Sequence, residues 1–185
     1  MMDVFILAGG KSSRMGADKG LIDYQGKPLV AHVLEAVSII SGRIHIITGN
    51  TEYEKWGYPL VQDILPGLGP AGGVLTSLKH ASSDTVLICA CDMPELSAGI
   101  LQRMCARYRK NADVLVAAIN GRREPLLAIY QTAILPKWEE MLNQGFRKMT
   151  DFLDQLETNI FEVTEDPDYH PAMFKNVNTR EDLEK

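Results

Sequence analysis

Short apolar runs that alternate with stretches of helical length constrain the fold of this chain more than any other feature. Residues 4–8 (Val-Phe-Ile-Leu-Ala) form one run, and 43–49, 58–63, 85–91 and 112–119 follow it. Runs this short, closed by Gly, Asn or Asp, predict buried strands. Between them lie helical patterns over 28–40, from the 66–73 turn to His80, and over 96–108. In the first of these, Leu29, His32, Val33, Ala36, Val37 and Ile40 recur at helical spacing, and Pro28 suits a first turn. Strands joined through helices need crossover connections, so the sheet is predicted to be mostly parallel and covered on both faces. The Asn120-Gly121 turn predicts that 125–130 returns as one antiparallel strand. Helices over 133–143 and 148–156 and a strand near 160–163 complete the pattern. The expectation is an α/β, Rossmann-like, three-layer fold in a single domain over 1–185, with no repeat, low-complexity segment or dividing linker.

Open sheets of this kind bind ligands beyond the carboxyl ends of their strands. Gly9, Asn50, Asp63 and Asp92 each fall at or just after such an end. The richest of these places is the first. The strand stops at Gly9-Gly10, and Lys11, Arg14 and Lys19 follow in a polar loop. Glycines allow close backbone approach, loop amides are donors, and the cations suit phosphates. The spacing lacks the terminal Gly-Lys-Ser/Thr of a Walker loop, and glycines at 9, 10 and 16 do not match the dinucleotide fingerprint. Lys19 would act as a point charge and Arg14 as a fork on a nucleotide's phosphates.

Asp92 ends an apolar run and precedes Met93-Pro94, a turn that would hold its carboxylate at the sheet edge. Mg²⁺ commonly takes one or two protein carboxylates and completes its shell with phosphates and water, so one such Asp suffices. Asp63 could accept hydrogen bonds from guanine N1–H and N2–H₂, or cap its loop. Asn50 closes a strand as part of a Gly-Asn turn. The 67–73 segment could lay backbone over a base or sugar, or simply lead into a helix.

Composition excludes several classes. Hydrophobic residues make up 45% and charged residues 23% of the chain, as in ordinary globular proteins. No apolar run approaches the ~20 residues needed to span a membrane. The amino terminus enters a strand directly, which argues against a signal peptide and for the cytoplasm. The net charge of −5 is uneven: from Thr150 onward there are 10 acids and 3 bases, while the rest carries 16 bases and 14 acids. A general nucleic-acid binder would need a basic surface. Cys89, Cys91 and Cys105 form no Cys-x-x-Cys pair, so buried thiols are expected rather than zinc ligands. The four histidines suggest no triad, and Ser12 and Ser13 have no evident base, which disfavours a covalent nucleophile.

The loop Ala8-Gly9-Gly10-Lys11-Ser12-Ser13-Arg14-Met15-Gly16-Ala17-Asp18-Lys19 resembles that of nucleotidyltransferases, above all the molybdenum cofactor guanylyltransferases (MobA-like enzymes). Cys91-Asp92-Met93-Pro94 resembles the family's Cys-Asp-x-Pro, and Asn176-Val177-Asn178-Thr179 its terminal Asn-x-Asn-Thr, with Arg180 in place of proline. Pro125-Leu126-Leu127-Ala128-Ile129-Tyr130 resembles the family's Pro-Leu-x-Ala-x-Tyr strand, with Glu124 where a His usually stands. Residues 144–148 resemble a Gly-x-Arg turn, which would put Arg147 on the acceptor's phosphate unless it is a plain surface cation.

The resemblance implies a nucleotidyltransferase fold and transfer of GMP from GTP to the terminal phosphate of molybdenum-bound molybdopterin, with release of pyrophosphate. Leu7, Ala8, Gly9, Gly10, Lys19, Asn50, Asp63 and Asp92 would bind the nucleotide, and Asp92 would hold Mg²⁺. Arg14, Lys19 and Asp92 would carry catalysis. Implied partners are GTP, molybdopterin and, transiently, cofactor-biosynthesis proteins and acceptor molybdoenzymes, with no nucleic acid or membrane. Cytidylyl or sugar-phosphate transfer on the same fold, and a noncatalytic nucleotide-binding partner in cofactor assembly, are the alternatives.

Overall fold

The computed structural model describes residues 2–8 and 18–174. The expectations for Gly9, Gly10, Arg14 and 176–179 therefore lie outside the described residues. In chain order the elements begin with β1 (Asp3–Leu7), β2 (Asp23–Tyr24), β3 (Lys27–Pro28), α1 (Leu29–Ser38), β4 (Ile44–Ile47), β5 (Leu60–Val61) and α2 (Pro70–His80). They continue with β6 (Thr85–Ala90), α3 (Ala98–Arg107), β7 (Val114–Ile119), β8 (Arg122–Gln131), α4 (Leu135–Asn143), α5 (Met149–Asp154) and β9 (Thr158–Glu162).

β1 is apolar on both faces, so it takes an inner position in the sheet. Val4 and Ile6 point into one buried cluster and Phe5 into the other, as strand alternation requires. Its edges pair in parallel with β4 and β6, Leu7 lying across from Ile47 on one side and from Ala90 on the other. The seven-stranded order is β5-β4-β1-β6-β8-β7-β9. β8 runs antiparallel to both of its neighbours, and the other pairs are parallel. The expected mostly parallel sheet with one reversed strand is therefore what forms. The chain builds outward from β1 to β5, then crosses back to β6, which puts the topological switch between β1 and β6.

Helices cover both faces. Val30, Val33 and Val37 of α1 and Ile100, Leu101 and Met104 of α3 pack on one face, with Val4, Ile6, Leu87 and Cys89. Val74 and Leu75 of α2, Trp138 of α4 and Phe152 of α5 pack on the other, with Phe5, Ile88 and Tyr130. Burial of each such large side chain contributes about 1.5–3 kcal/mol. Trp138 is fully buried, stacks on Phe152 at 4.2 Å between centroids, and donates Nε1–H to the Ala71 carbonyl at 3.1 Å. That bond fixes the amino-terminal turn of α2.

Two boundaries differ from the sequence reading. Pro28 does not open the helix; it pairs with Asp23 in a small hairpin turned by Gln25 and Gly26, both at positive φ, and α1 begins one residue later. The expected 66–73 turn is half helix. α2 starts at Pro70, whose fixed φ suits N1, after Gly69 at φ 58°. A Cβ on Gly73 would stand 2.9 Å from Leu7 Cδ1, so glycine here lets α2 lie against the end of β1.

At the edge opposite the strand carboxyl ends, Asp3 is fully buried yet well partnered. Its Oδ2 accepts from the backbone amides of Ser82 (2.6 Å) and Ser83 (3.0 Å), and Arg43 Nε lies 2.9 Å from Oδ1. Burial alone would raise this carboxyl; the Ser82 amide, the Ser83 and Ser82 hydroxyls and Arg43 outweigh it and hold it below the ordinary carboxylate range. A depressed folded value means stability that is fully present above the unfolded Asp value of about 3.9 and is lost as pH falls through the folded one. Asp3→Asn should cost about 2–3 kcal/mol at pH 7. In urea titrations the gap between variant and wild type should narrow steadily below about pH 4.

Candidate active site

The carboxyl ends of β1, β4, β5 and β6 share one edge. Backbone bonds from Ala8 to Ile47 (3.0 Å), from Thr48 to Val61 (2.9 Å) and from Cys91 to Leu7 (3.2 Å) carry the ladders one residue past the strands. A cleft of about 590 Å³ opens above this edge. Leu7, Ala8, Thr48 and Gly49 form part of its floor, the Pro66–Gly69 loop and the first turns of α2 one wall, and Lys19, Cys91, Asp92 and Leu126 the other.

Asp92 follows β6 by two residues, and one of its oxygens meets Lys19. Lys19 Nζ donates to Asp92 Oδ2 at 2.5 Å, with both side chains largely buried. Asp92 Oδ1 is buried and makes no hydrogen bond among the described residues. A buried carboxylate oxygen left in that state costs free energy unless something else meets it.

Lys19 is held from behind. It opens a 3₁₀ turn, Lys19–Leu21, capped by Asp18, whose Oδ1 accepts from the Gly20 amide at 3.2 Å. The same Oδ1 accepts from Tyr53 Oη at 2.5 Å, and Oδ2 accepts from Asn50 Nδ2 at 3.1 Å. Tyr53 is fully buried, and burial together with its bond to Asp18 pushes its phenol far above the ordinary range, so it remains a donor. Asn50 Oδ1 accepts from the Glu52 amide at 2.9 Å and caps the 3₁₀ helix Thr51–Trp56. Both ends of the Asn50 side chain therefore meet protein, and Thr48 and Gly49, rather than Asn50, line the cleft. The strand end brings Asn50 to the site, but as a brace for Asp18.

Asp63 lies in the cleft beside the amino end of α2. Its Oδ1 accepts from Thr76 Oγ1 at 2.8 Å and from the Leu65 amide at 3.2 Å, while Thr76 Oγ1 accepts from the Ile64 amide at 3.0 Å. Thr76 reaches from the second turn of α2, so helix and loop set the carboxylate together. Cys91 also lines the cleft, but burial pushes its thiol far above the range of a thiolate nucleophile. Arg147 lies elsewhere. Its Nη1 donates to the Leu142 and Phe146 carbonyls at 3.1 and 2.6 Å, closing the end of α4.

Glu124 stands two residues before Leu126, which lines the cleft. Burial raises its carboxyl above the ordinary range, Arg122 draws it back, and the charge of Asp92 adds to the rise. Sequence reasoning gave no role to Tyr53, Thr76 or Asp18. Asp18 stood inside the loop motif, whereas Tyr53 and Thr76 carried no local signal. Among the described residues there is no group of three or more His, Cys, Asp or Glu side chains that could cage a metal. No helix among them is long and apolar enough to cross a membrane.

Comparison with known proteins gives a consistent result. Residues 4–159 match the sequence model of the MobA-like NTP transferase domain. A "Probable molybdenum cofactor guanylyltransferase" of Flavobacterium johnsoniae is 34% identical over 98% of this chain and 94% of that protein. The "Molybdenum cofactor guanylyltransferase" of Vibrio parahaemolyticus is 34% identical over 96% of this chain and 91% of its own length. The crystal structure of molybdopterin-guanine dinucleotide biosynthesis protein A from Archaeoglobus fulgidus superposes with a TM-score of 0.83 at 27% identity, covering 99% of this chain and 95% of that one.

The brace behind Lys19 can be tested by small changes. Tyr53→Phe removes one hydrogen bond, worth about 1 kcal/mol. It should lower kcat/KM for the NTP about fivefold with an unchanged circular dichroism spectrum. Gly20→Ala would place a Cβ 2.3 Å from Tyr53 Oη, and it should produce the larger loss of the two.

Proposed function

The chain belongs to the MobA-like NTP transferase family, and on that premise we propose how its cleft works as a molybdenum cofactor guanylyltransferase. The reaction joins GMP from GTP to the terminal phosphate of molybdenum-bound molybdopterin and releases pyrophosphate. The new bond forms between an acceptor phosphate oxygen and the α-phosphorus, and the bond from that phosphorus to the β-phosphate bridging oxygen breaks. The acceptor phosphate is already anionic near neutral pH, so no strong protein base is needed. Positioning and neutralisation of charge supply most of the acceleration.

One observation supports the assignment of roles above the others: Lys19 satisfies one oxygen of Asp92, and the second is buried without a partner among the described residues. An orphaned hard oxygen at the end of a strand fits Mg²⁺. Bound there, Mg²⁺ would offset negative charge on the phosphates of GTP. Asp92 would hold it, with Oδ1 the oxygen left for that purpose. Lys19 orients Asp92, and it presents its own charge to the departing pyrophosphate. Arg14, with the amides of Gly9 and Gly10, contributes further donors to the phosphates, as the family loop implies. Leu7 and Ala8 form the floor beneath the nucleotide.

Asp63 reads the base. With Oδ1 fixed by Thr76 and Leu65, its carboxylate is held to accept from guanine N1–H and N2–H₂. Neither adenine nor cytosine offers that pair of donors. Asn50 acts through Asp18 and Lys19 rather than by touching the nucleotide.

Pyrophosphate release measured with GTP, CTP or ATP, in the presence of molybdenum-loaded molybdopterin and Mg²⁺, tests this assignment. Turnover should require GTP, and strong CTP turnover without GTP use would overturn it. Asp92→Asn should reduce kcat about 10²-fold or more. Asp63→Asn should raise the KM for GTP about tenfold, the effect of losing about 1.4 kcal/mol of binding, and leave Mg²⁺ dependence intact.

A further inference from the structure

We propose that Glu124 supplies a second carboxylate to the divalent cation held by Asp92, an assignment that rests on the Asp92 site described above. The placement follows from strand register. β6 and β8 pair antiparallel from Thr85 with Gln131 to Cys89 with Leu127. The pairing ends there, and Asp92 and Glu124 each lie three residues beyond the last pair, at the same end of the two strands. They are close enough for the charge of Asp92 to be felt at the Glu124 carboxyl.

A bulge brings Glu124 there. Val116 of β7 pairs with Ala128, but the next residue, Ala117, pairs with Glu124, so Pro125, Leu126 and Leu127 are extra on β8. Bulges re-aim side chains at sheet edges and beside active sites. This one is pinned: the fully buried Tyr130 donates its hydroxyl to the Pro125 carbonyl at 2.8 Å. Leu126, within the bulge, lines the cleft.

The charges then need a cation. Asp92 and Glu124 repel each other, and Lys19 is bonded to Asp92 Oδ2, on the other oxygen from the orphaned one. Arg122, the cation beside Glu124, lies 3.4 Å away on a side chain that is 82% exposed, a loose pair in water. Glu124 itself is 22% exposed. A divalent cation between Asp92 Oδ1 and the Glu124 carboxylate would relieve both the repulsion and the orphaned oxygen. Two carboxylates with substrate phosphates is a common shell for Mg²⁺.

The test uses Mn²⁺ as the probe, titrated into the full-length protein with GTP and followed by water proton relaxation, which separates the protein-bound complex from free Mn²⁺–GTP. Wild type should bind, and Asp92→Asn should abolish protein-bound Mn²⁺. Glu124→Gln, close in shape and uncharged, should weaken Mn²⁺ about tenfold or more, with an unchanged circular dichroism spectrum. Arg122→Ala should leave Mn²⁺ affinity within about twofold of wild type, or tighten it, because a competing cation is removed.

Unchanged Mn²⁺ affinity in Glu124→Gln, with Asp92→Asn still defective, would overturn the assignment of Glu124 alone. So would a rise only in the KM for the acceptor, which would make Glu124 an acceptor contact. Equal losses in Arg122→Ala and Glu124→Gln would overturn it by showing that the ion pair is what matters. Insensitivity of Mn²⁺ binding to Asp92→Asn would overturn the metal site itself and this assignment with it.

Discussion

The double parallel pairing of β1 is the constraint on which the rest depends. A five-residue strand buried on both faces has nowhere to satisfy its backbone except between two partners. Because both partners run in its own direction, each return crosses a face of the sheet in a helix, and the carboxyl ends collect at one edge. Ala8 after β1, Thr48 and Gly49 after β4, Asp63 after β5 and Asp92 after β6 arrive there from four distant stretches of sequence. The cleft is a result of strand direction before any side chain in it is considered.

Within that frame, order passes inward through hydrogen bonds. Tyr53 and Asn50, both beyond β4, hold Asp18; Asp18 caps the turn that carries Lys19; Lys19 fixes Asp92. The first and last links join separate segments, so the position of the ammonium reports on the turns after β4 and β6 together. Because the Tyr53 phenol is held far above its ordinary range, the direction of its bond to Asp18 does not change with physiological pH. Thr76 and Trp138 play the corresponding part on the far wall, where a helix rather than a turn is being located.

Much of this was legible in the sequence, for identifiable reasons. Strand runs and helical spacings are local patterns, and even the reversal of β8 was visible, because Asn120-Gly121 leaves room only for a hairpin. Asp92 and Asp63 could be chosen because a carboxylate at the end of an apolar run is conspicuous. Asn50 satisfied the same rule, yet its side chain turns back to Asp18 and Glu52, a choice made by neighbours thirty-two and two residues away. Arg147, read as an acceptor contact or a plain surface cation, bonds the carbonyls at the end of α4, which its place after a glycine does not reveal. Tyr53 and Thr76 sit in stretches with no pattern of their own. Glu124 and Asp92 come to the same strand end only once β6 and β8 have paired antiparallel.

The reversed strand has one more effect. Because β8 opposes its neighbours, the two-residue turn before it stands at the same edge as the cleft, with the Asn120 and Gly121 amides both held at 3.0 Å by Glu162. A purely parallel arrangement would have buried that connection in a helix on one face. Here the scaffold offers a tip, on the same edge of the sheet as the cleft, where chain length can change without disturbing any layer of the core. Evolution can resize the mouth of such an enzyme there while the machinery behind it stays in place.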